Sequence, residues 1–335
     1  MVRTPSDPRC STRRDALKLG FGGLLASAFA GRATADDYPS HPVRLIIPAS
    51  AGSPGDVPAR LASQILGAKL GQPVVVENRP GAGGAIGARA VASSPPDGYT
   101  LLIGNTSTLA VIPAVSKSAG YDPVKDFVPI FKITEGFQIL VVDVNSPWKT
   151  LKDFIADAKA NPGKINYGHT GRGGLPNLAG ELFMLKSGAK LTGVSYRSGG
   201  ESVTAVLSGA VQATFENIAI LRSLINDGKI RALGAQSATR SPMLPNVPTM
   251  AEQGVPDCEA YTFFGLAAPA GTPPHIIKMI GDAMNEGIMK PDVQKAITTL
   301  GSVAKENSPA EFADYIAAQH KKWVEVGRIA NIHID

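Results

Sequence analysis

Short apolar runs alternate with stretches of helical spacing along most of the chain, and glycine or proline stands at nearly every change between them. Residues 43–48 (VRLIIP) read as a buried strand, and a helix follows to about Leu70 with Pro58 in its first turn, where a missing N–H does no harm. Val74-Val75-Val76 predicts a second strand, because β-branched residues pack well on a pleated surface. Asn78-Arg79-Pro80-Gly81 turns the chain, residues 85–92 predict a small-residue helix, and Pro95-Pro96-Asp97-Gly98 ends it before a strand over 99–103. The alternation resumes with a strand at 139–142 and a helix over 149–160 that carries Leu151, Ile155 and Ala158 on one side. A strand at 165–167 enters the glycine loop Gly171-Arg172-Gly173-Gly174, and a helix spans about 177–186. Further strands are expected at 193–196, 211–215 and 230–235, with helices at 201–207 and 218–226. The tail from Pro274 is mostly helical, with breaks near Pro291 and Gly301 and an apolar stripe through Phe312 and Ile316. Strands and helices mixed throughout predict a doubly wound α/β protein.

The front of the chain has a different pattern. Thr12-Arg13-Arg14-Asp15-Ala16-Leu17-Lys18 matches a twin-arginine export signal, an apolar segment covers 19–30, and Ala33-Thr34-Ala35 supplies small residues for cleavage. That segment is too short to span a bilayer, which needs about 20 apolar residues. Residues 1–35 are therefore expected to be an export signal, with the mature chain in the periplasm. Removing them takes away six Lys/Arg and two Asp, which leaves 27 basic and 26 acidic residues. The basic balance of the full chain resides largely in the signal, and no basic field remains to suggest a nucleic-acid partner. Only Cys258 survives cleavage, so no intramolecular disulfide is possible, and a lone cysteine is more often a small buried hydrophobe than a nucleophile.

Candidate chemistry is sparse. G-x-S-x-G, H-E-x-x-H, the P-loop pattern and an EF-hand loop are all absent. His41, His169, His275, His320 and His333 are scattered without ligand spacing, so neither a metal site nor a catalytic constellation is expected. His169, beside a glycine loop, reads as a hydrogen-bonded loop residue. Gly81, Gly83 and Gly87 suggest a dinucleotide loop, but their spacing is G-x-G-x-x-x-G and no acidic residue ends a strand about 20 positions on. Close helix–sheet packing explains them better, and no cofactor is expected. What remains is a pair of strand-to-helix glycine loops, one near Gly52 and one at 171–174. Helix amino ends present unpaired N–H groups and positive potential there, a seat for a carboxylate that needs little side-chain charge.

At this point the residues resemble a family. The chain is similar to the Bug-type solute-binding proteins, the extracytoplasmic receptors of tripartite tricarboxylate transporters. The resemblance runs from about Tyr38 to the C-terminus, through Val43-Arg44-Leu45-Ile46-Ile47-Pro48, Ala51-Gly52-x-x-x-Asp56-x-x-Ala59-Arg60 and the segment 71–84 (GQPVVVENRPGAGG). It continues through Pro96-Asp97-Gly98-Tyr99-Thr100-Leu101-Leu102, Tyr121-Asp122-Pro123, Ala160-Asn161-Pro162-Gly163-Lys164, Leu244-Pro245-Asn246-Val247-Pro248-Thr249 and Ala268-Pro269-Ala270-Gly271-Thr272-Pro273. It implies a type II periplasmic-binding-protein fold, two doubly wound lobes joined by two crossing strands, with lobe one at 36–138 and 262–335 and lobe two at 139–261. The crossings are expected near 138–143 and 261–267.

The resemblance also implies a monomeric receptor, not an enzyme, that captures a small organic acid in the interlobe cleft and delivers it to membrane transporter subunits. A ligand-sensing partner of a membrane signalling protein and an exported hydrolase are the alternatives. Carried onto this sequence, the first loop contributes Gly52, Ser53 and Asp56, and the middle loop Gly171, Gly173, Gly174 and Asn177. Thr106 and Ser107 are expected to face the cleft, and Arg197, Ser198 and Glu216 complete the candidate set. Several of these depart from the family pattern. Ser53 stands where a second Gly is usual, Gly174 replaces Ser, and Asn177 replaces His. Tyr196-Arg197-Ser198 replaces Tyr-Lys-Gly, Glu216-Asn217 replaces Asp-Asn, and Phe263 replaces Trp. Asp56 either touches ligand or stabilises a helix amino end. Arg197 is either a carboxylate ligand or a solvated turn residue. Glu216 either accepts from a ligand amino or hydroxyl group or caps its neighbouring helix.

Overall fold

The computed structural model describes residues 38–333, so the expected export signal lies outside the described residues. Its first strands, β1 (Val43–Ile47), β2 (Val74–Asn78) and β3 (Thr100–Asn105), are parallel, with β1 between the other two. Helix α1 (Asp56–Leu70) connects β1 to β2 and buries Pro58, Ala59, Ala62, Ile65 and Leu66, the spacing of one helical face. It ends at Gly71, whose left-handed φ of 69° closes the last turn. Helix α2 (Ala85–Ala92) connects β2 to β3. A Cβ on Gly87 would lie 2.7 Å from the Arg79 carbonyl oxygen and 2.9 Å from Pro48 Cα, so the early glycine loop serves close packing of helix on strand.

The remaining strands are β4 (Phe127–Asp143), β5 (Asn166–His169), β6 (Thr192–Ser195), β7 (Ala213–Asn217), β8 (Ile230–Ala235) and β9 (Tyr261–Pro269). In the first half β9 lies antiparallel between β3 and the front of β4, giving the order β2-β1-β3-β9-β4. In the second half the back of β4 lies antiparallel between β7 and β8, giving β6-β5-β7-β4-β8. Each half is thus four parallel strands with one antiparallel strand inserted, and β4 belongs to both. Only residues 139–142 of β4 read as a strand in the sequence; Lys132, Thr134, Glu135 and Gly136 break the apolar run before them. Two register shifts against β9, at Pro129/Phe131 and Lys132/Thr134, let this long strand twist as it crosses.

Helices cover both halves: α4 (Leu151–Ala160), α5 (Leu175–Ser187), α6 (Gly199–Leu207) and α7 (Ile218–Asn226) in the second, and α8 (Pro274–Ile288), α9 (Pro291–Thr299) and α10 (Pro309–Ile329) in the tail. After β3 the chain makes an unforeseen wide π-helical turn over 107–111 and runs into the short α3 (Ile112–Val115). Along the back of β4, Leu140 and Val142 join one apolar cluster while Ile139 and Val141 join another. Both faces of that sheet are therefore buried, as parallel-rich sheets require. Helix α10 serves both halves. Phe312 and Ile316 pack with Ile46, Leu102 and Phe263, whereas Trp323 and Val326 pack in the cluster that holds Leu140, Tyr167 and Phe215.

Trp323 is fully buried. Replacing it with alanine leaves a large cavity where α10 meets the second sheet, at a cost of about 3–5 kcal/mol. A lower urea midpoint with an unchanged slope is the expected result of equilibrium unfolding of Trp323→Ala.

Candidate functional site

A cavity of about 510 Å³ opens where the carboxyl ends of β1, β3, β5 and β7 converge. Ser53, Pro54 and Gly55 reach it from the loop after β1, and Asn105, Thr106 and Ser107 from the end of β3. Thr170, Gly174 and Leu175 come from the loop after β5, and Glu216, Asn217 and Ile220 from the end of β7 and the start of α7. The crossing strands supply Thr134 and Gln138 from β4 and Thr262 and Phe264 from β9. Leu300 and Ser302 arrive from the turn after α9. This is the expected place for a ligand in open α/β sheets, outside the carboxyl ends of the strands.

Three helix amino ends reach this cavity, and those of α1 and α5 are not capped by a side chain. Gly55 precedes α1 and Gly174 precedes α5, both lining the cavity. The third, α7, is capped by Asn217; elsewhere α4, α6 and α10 are capped by Thr150, Ser198 and Ser308, while α2, α8 and α9 are not capped by a side chain. Glycine at these two positions leaves first-turn N–H groups to whatever fills the cavity, together with the positive end of each helix dipole.

The loops are held from behind. The Asp56 carboxylate accepts from the Gly52 N–H, from Asn78 Nδ2 at 3.3 Å and from Ser53 Oγ at 3.4 Å. The Gly173 N–H donates to Asn177 Oδ1 at 3.0 Å, and Asn177 Nδ2 donates to the Tyr167 hydroxyl at 2.9 Å. The Gly171 N–H donates to His169 Nδ1 at 3.1 Å, and burial pushes the imidazole pKa down, so the ring is neutral and able to accept. Gly171 and Gly173 adopt left-handed φ values of 104° and 77°.

Of the sequence-predicted residues, Ser53, Thr106, Ser107, Gly174 and Glu216 line the cavity. Gly52, Asp56, Gly171, Gly173 and Asn177 lie outside its lining and shape the two loops. Thr106 donates to the Tyr261 carbonyl oxygen at 3.2 Å and accepts from the Phe263 N–H at 2.9 Å, which ties the cavity wall to β9. Arg197 is exposed and outside the lining, and its backbone N–H donates to Glu201. Ser198 caps α6 by accepting from the Glu201 N–H. Phe263 faces the core, and its neighbour Phe264 faces the cavity. Cys258 is buried, with its thiol pushed up to about 11 by burial, the opposite of what a nucleophile needs. Among the described residues no cluster of three His, Cys, Asp or Glu side chains could hold a metal ion.

A family model described as the tripartite tricarboxylate transporter family receptor, TctC, matches residues 58–332. The chain is 36% identical to BugT of Bordetella pertussis over 306 residues, 91% of this chain and 94% of that protein. It also resembles two solved structures of Rhodopseudomonas palustris proteins. Rpa4515, solved with adipate, shares 31% identity with a TM-score of 0.75 over 88% of this chain and 99% of that one. MatC, solved with bound malate, shares 29% identity with a TM-score of 0.73 over 86% and 99%. The chain belongs to the TctC receptor family. It is a two-lobed periplasmic solute-binding protein, and its family is one of receptors rather than enzymes.

The cavity of this TctC receptor carries little side-chain charge. Glu216 is the one ionisable residue in its lining, and no Lys or Arg joins it. Its Oε1 accepts from the Asn217 N–H at 2.9 Å, while Oε2 is buried with no partner among the described residues. Burial raises its pKa from 4.5 to about 7, against a small opposing effect of that hydrogen bond. The sign follows from linkage: a folded-state pKa above the unfolded one makes a contribution to stability that is full below about 4.5 and lost as pH rises through about 7. Urea titrations of the ligand-free protein at pH 5 and pH 8 should show that loss, and Glu216→Gln should flatten it. An unchanged pH dependence in the variant would mean that Glu216 ionises in the folded state as freely as in water.

Proposed function

We propose that the protein captures a small organic anion between its two lobes and delivers it to the membrane subunits of a tripartite tricarboxylate-type transporter. One carboxylate of the ligand sits against the first turns of α1 and α5 and accepts from backbone N–H groups. The observation that carries this reading is the pair of glycine-capped helix amino ends on one cavity that holds no cationic side chain. Adipate and malate in the related structures are of the same chemical kind. Lobe one comprises β1, β2, β3, β9 and the front of β4, lobe two the strands between, with α10 packed on both. The receptor works as a monomer.

Thermal-shift measurement over a panel of mono- and dicarboxylates, hydroxy acids and amino acids tests this directly. A ligand at 100 times its dissociation constant should stabilise the fold by about 2.7 kcal/mol. Gly173→Val, placed where φ is 77°, should weaken binding by about tenfold or more through backbone strain of about 1–3 kcal/mol, with an unchanged circular dichroism spectrum. Turnover of an ester or amide without saturable binding would point instead to a hydrolase. Loss of uptake on gene deletion separates a transport receptor from a sensor, whose loss would leave uptake intact.

The export route follows from residues 12–18. Changing Arg13 and Arg14 together to Lys should leave precursor in the cytoplasm, because the pair is read as an address. Equal periplasmic yield from the variant, on immunoblots of fractionated cells, would assign export to the general secretory route.

A further inference from the structure

A buried carboxylate without a counter-charge is costly, and proteins seldom keep one without use. Glu216 is 5% exposed, its Oε2 lacks a partner among the described residues, and it forms part of the wall of the ligand cavity. The groups around it do not ionise. Helix α6 faces it with Gly199, where an added Cβ would lie 2.3 Å from Oε2 and 2.9 Å from Ile220 Cδ1 of α7. On β4 its register partner is Ile139. The cavity adds a second buried oxygen without a partner, Oε1 of Gln138, whose Nε2 donates to Thr262 Oγ1 at 3.0 Å. Ile47, Val57, Leu175, Leu300 and Phe264 make much of the remaining wall apolar.

A second ligand carboxylate beside Glu216 would set two anions together in an apolar wall with no cation to separate them, an arrangement that raises the energy of both. A hydroxyl, amide or ammonium group instead supplies the missing partner. We infer that the ligand is an asymmetric monocarboxylate that donates a hydrogen bond from its far end to Glu216 Oε2. This rests on the receptor reading above and specifies the ligand class: a carboxylate head for the helix amino ends, an apolar body, and a donor at the other end. An acceptor at position 216 then rejects dianions as well as holding the donor. Because Gly199 gives the carboxylate its space, the glycine and the acid act as one unit.

Ammonium binding also has a proton signature. It favours the charged carboxylate, so an ω-amino acid bound near pH 7 releases a proton from Glu216, whereas a dianion would bind only with uptake of one. The test is calorimetry of the exported protein at about pH 8 with 4-aminobutanoate, 4-hydroxybutanoate, butanoate and succinate, and with 6-aminohexanoate, 6-hydroxyhexanoate, hexanoate and adipate. Repetition near pH 7 in two buffers of different ionisation enthalpy reads the proton. In at least one series the amino or hydroxy acid should bind about tenfold or more tighter than both the plain and the dicarboxylic acid, the yield of one charge-assisted hydrogen bond. Glu216→Gln should remove about tenfold of the amino-acid affinity and so close the gap to the plain acid, which loses a repelling charge and should bind no more weakly than before. Dicarboxylates winning with proton uptake would overturn the inference, because Glu216 would then be the donor. Equal binding of all members, or an unaltered amino-acid affinity in Glu216→Gln, would overturn it while the carboxylate receptor stands. No binding by any member would bring down both.

Discussion

The cavity depends on one strand having two sets of neighbours. Over residues 127–137 β4 pairs with β9, and from Gln138 onward it pairs with β7 and β8. That exchange turns two separate parallel layers into two lobes whose strand carboxyl ends share one space. It also creates a point where β4, β7 and β9 meet. There Thr262 Oγ1 accepts from Gln138 Nε2 at 3.0 Å and from Asn217 Nδ2 at 3.1 Å, and all three residues line the cavity. A polar node at a strand exchange satisfies side chains that would otherwise be buried without partners, and it ties β4, β7 and β9 together at the cavity wall. Helix α10 adds a second tie, since its first turns pack on one lobe and its last turns on the other.

Charge in this site comes from the backbone rather than from side chains. A lysine or arginine in a cleft of this size would attract anions strongly, but it would do so without regard to their shape. Helix amino ends act over a short range and in defined directions, so a carboxylate must be placed correctly to benefit from them. Glu216 sharpens that selection. It opposes diffuse anion binding, and its raised pKa records the cost of burial that the fold bears when the cavity holds no donor. A binding site that lowers the stability of the empty protein in this way is common where function needs an unsatisfied group.

Much of the fold was legible in the sequence because its units are local. Helix 85–92, helix 218–226 and strand 230–235 were read at their observed bounds, since each is framed by glycine, proline or a capping residue. The front of β4 was not legible. Its residues gain strand geometry from β9, more than a hundred positions away, and the polar positions 132, 134 and 135 hide any alternation. The wide turn over 107–111 was missed for a similar reason: Leu109, Ala110 and Val111 are apolar on every side because two lobes pack around them. Five of the twelve expected site residues, Ser53, Thr106, Ser107, Gly174 and Glu216, line the cavity, and all five sit at or just after the end of a strand. Thr134, Gln138, Thr262, Phe264, Leu300 and Ser302 were not foreseen, because crossing strands and the tail bring them in from afar.

The departures from the family pattern divide along the same physical line. Asn177 holds the middle loop by bridging Gly173 and Tyr167, and Ser198 caps α6, so both act through backbone shape. Arg197 is exposed and does not line the cavity. Ser53, Gly174 and Glu216 stand in the wall itself. Ser53 adds a hydroxyl beside one helix end, while Gly174 takes a hydroxyl away from the other. The two ends also differ in their backbone donors, because proline removes the third N–H of α1 at Pro58 and the second of α5 at Pro176, so the two helix starts are unlike. Glu216, at the end of β7, adds an acidic acceptor to the same wall. A ligand related by symmetry to itself would leave one of these environments mismatched, so the wall as built suits a molecule whose two ends differ in chemistry.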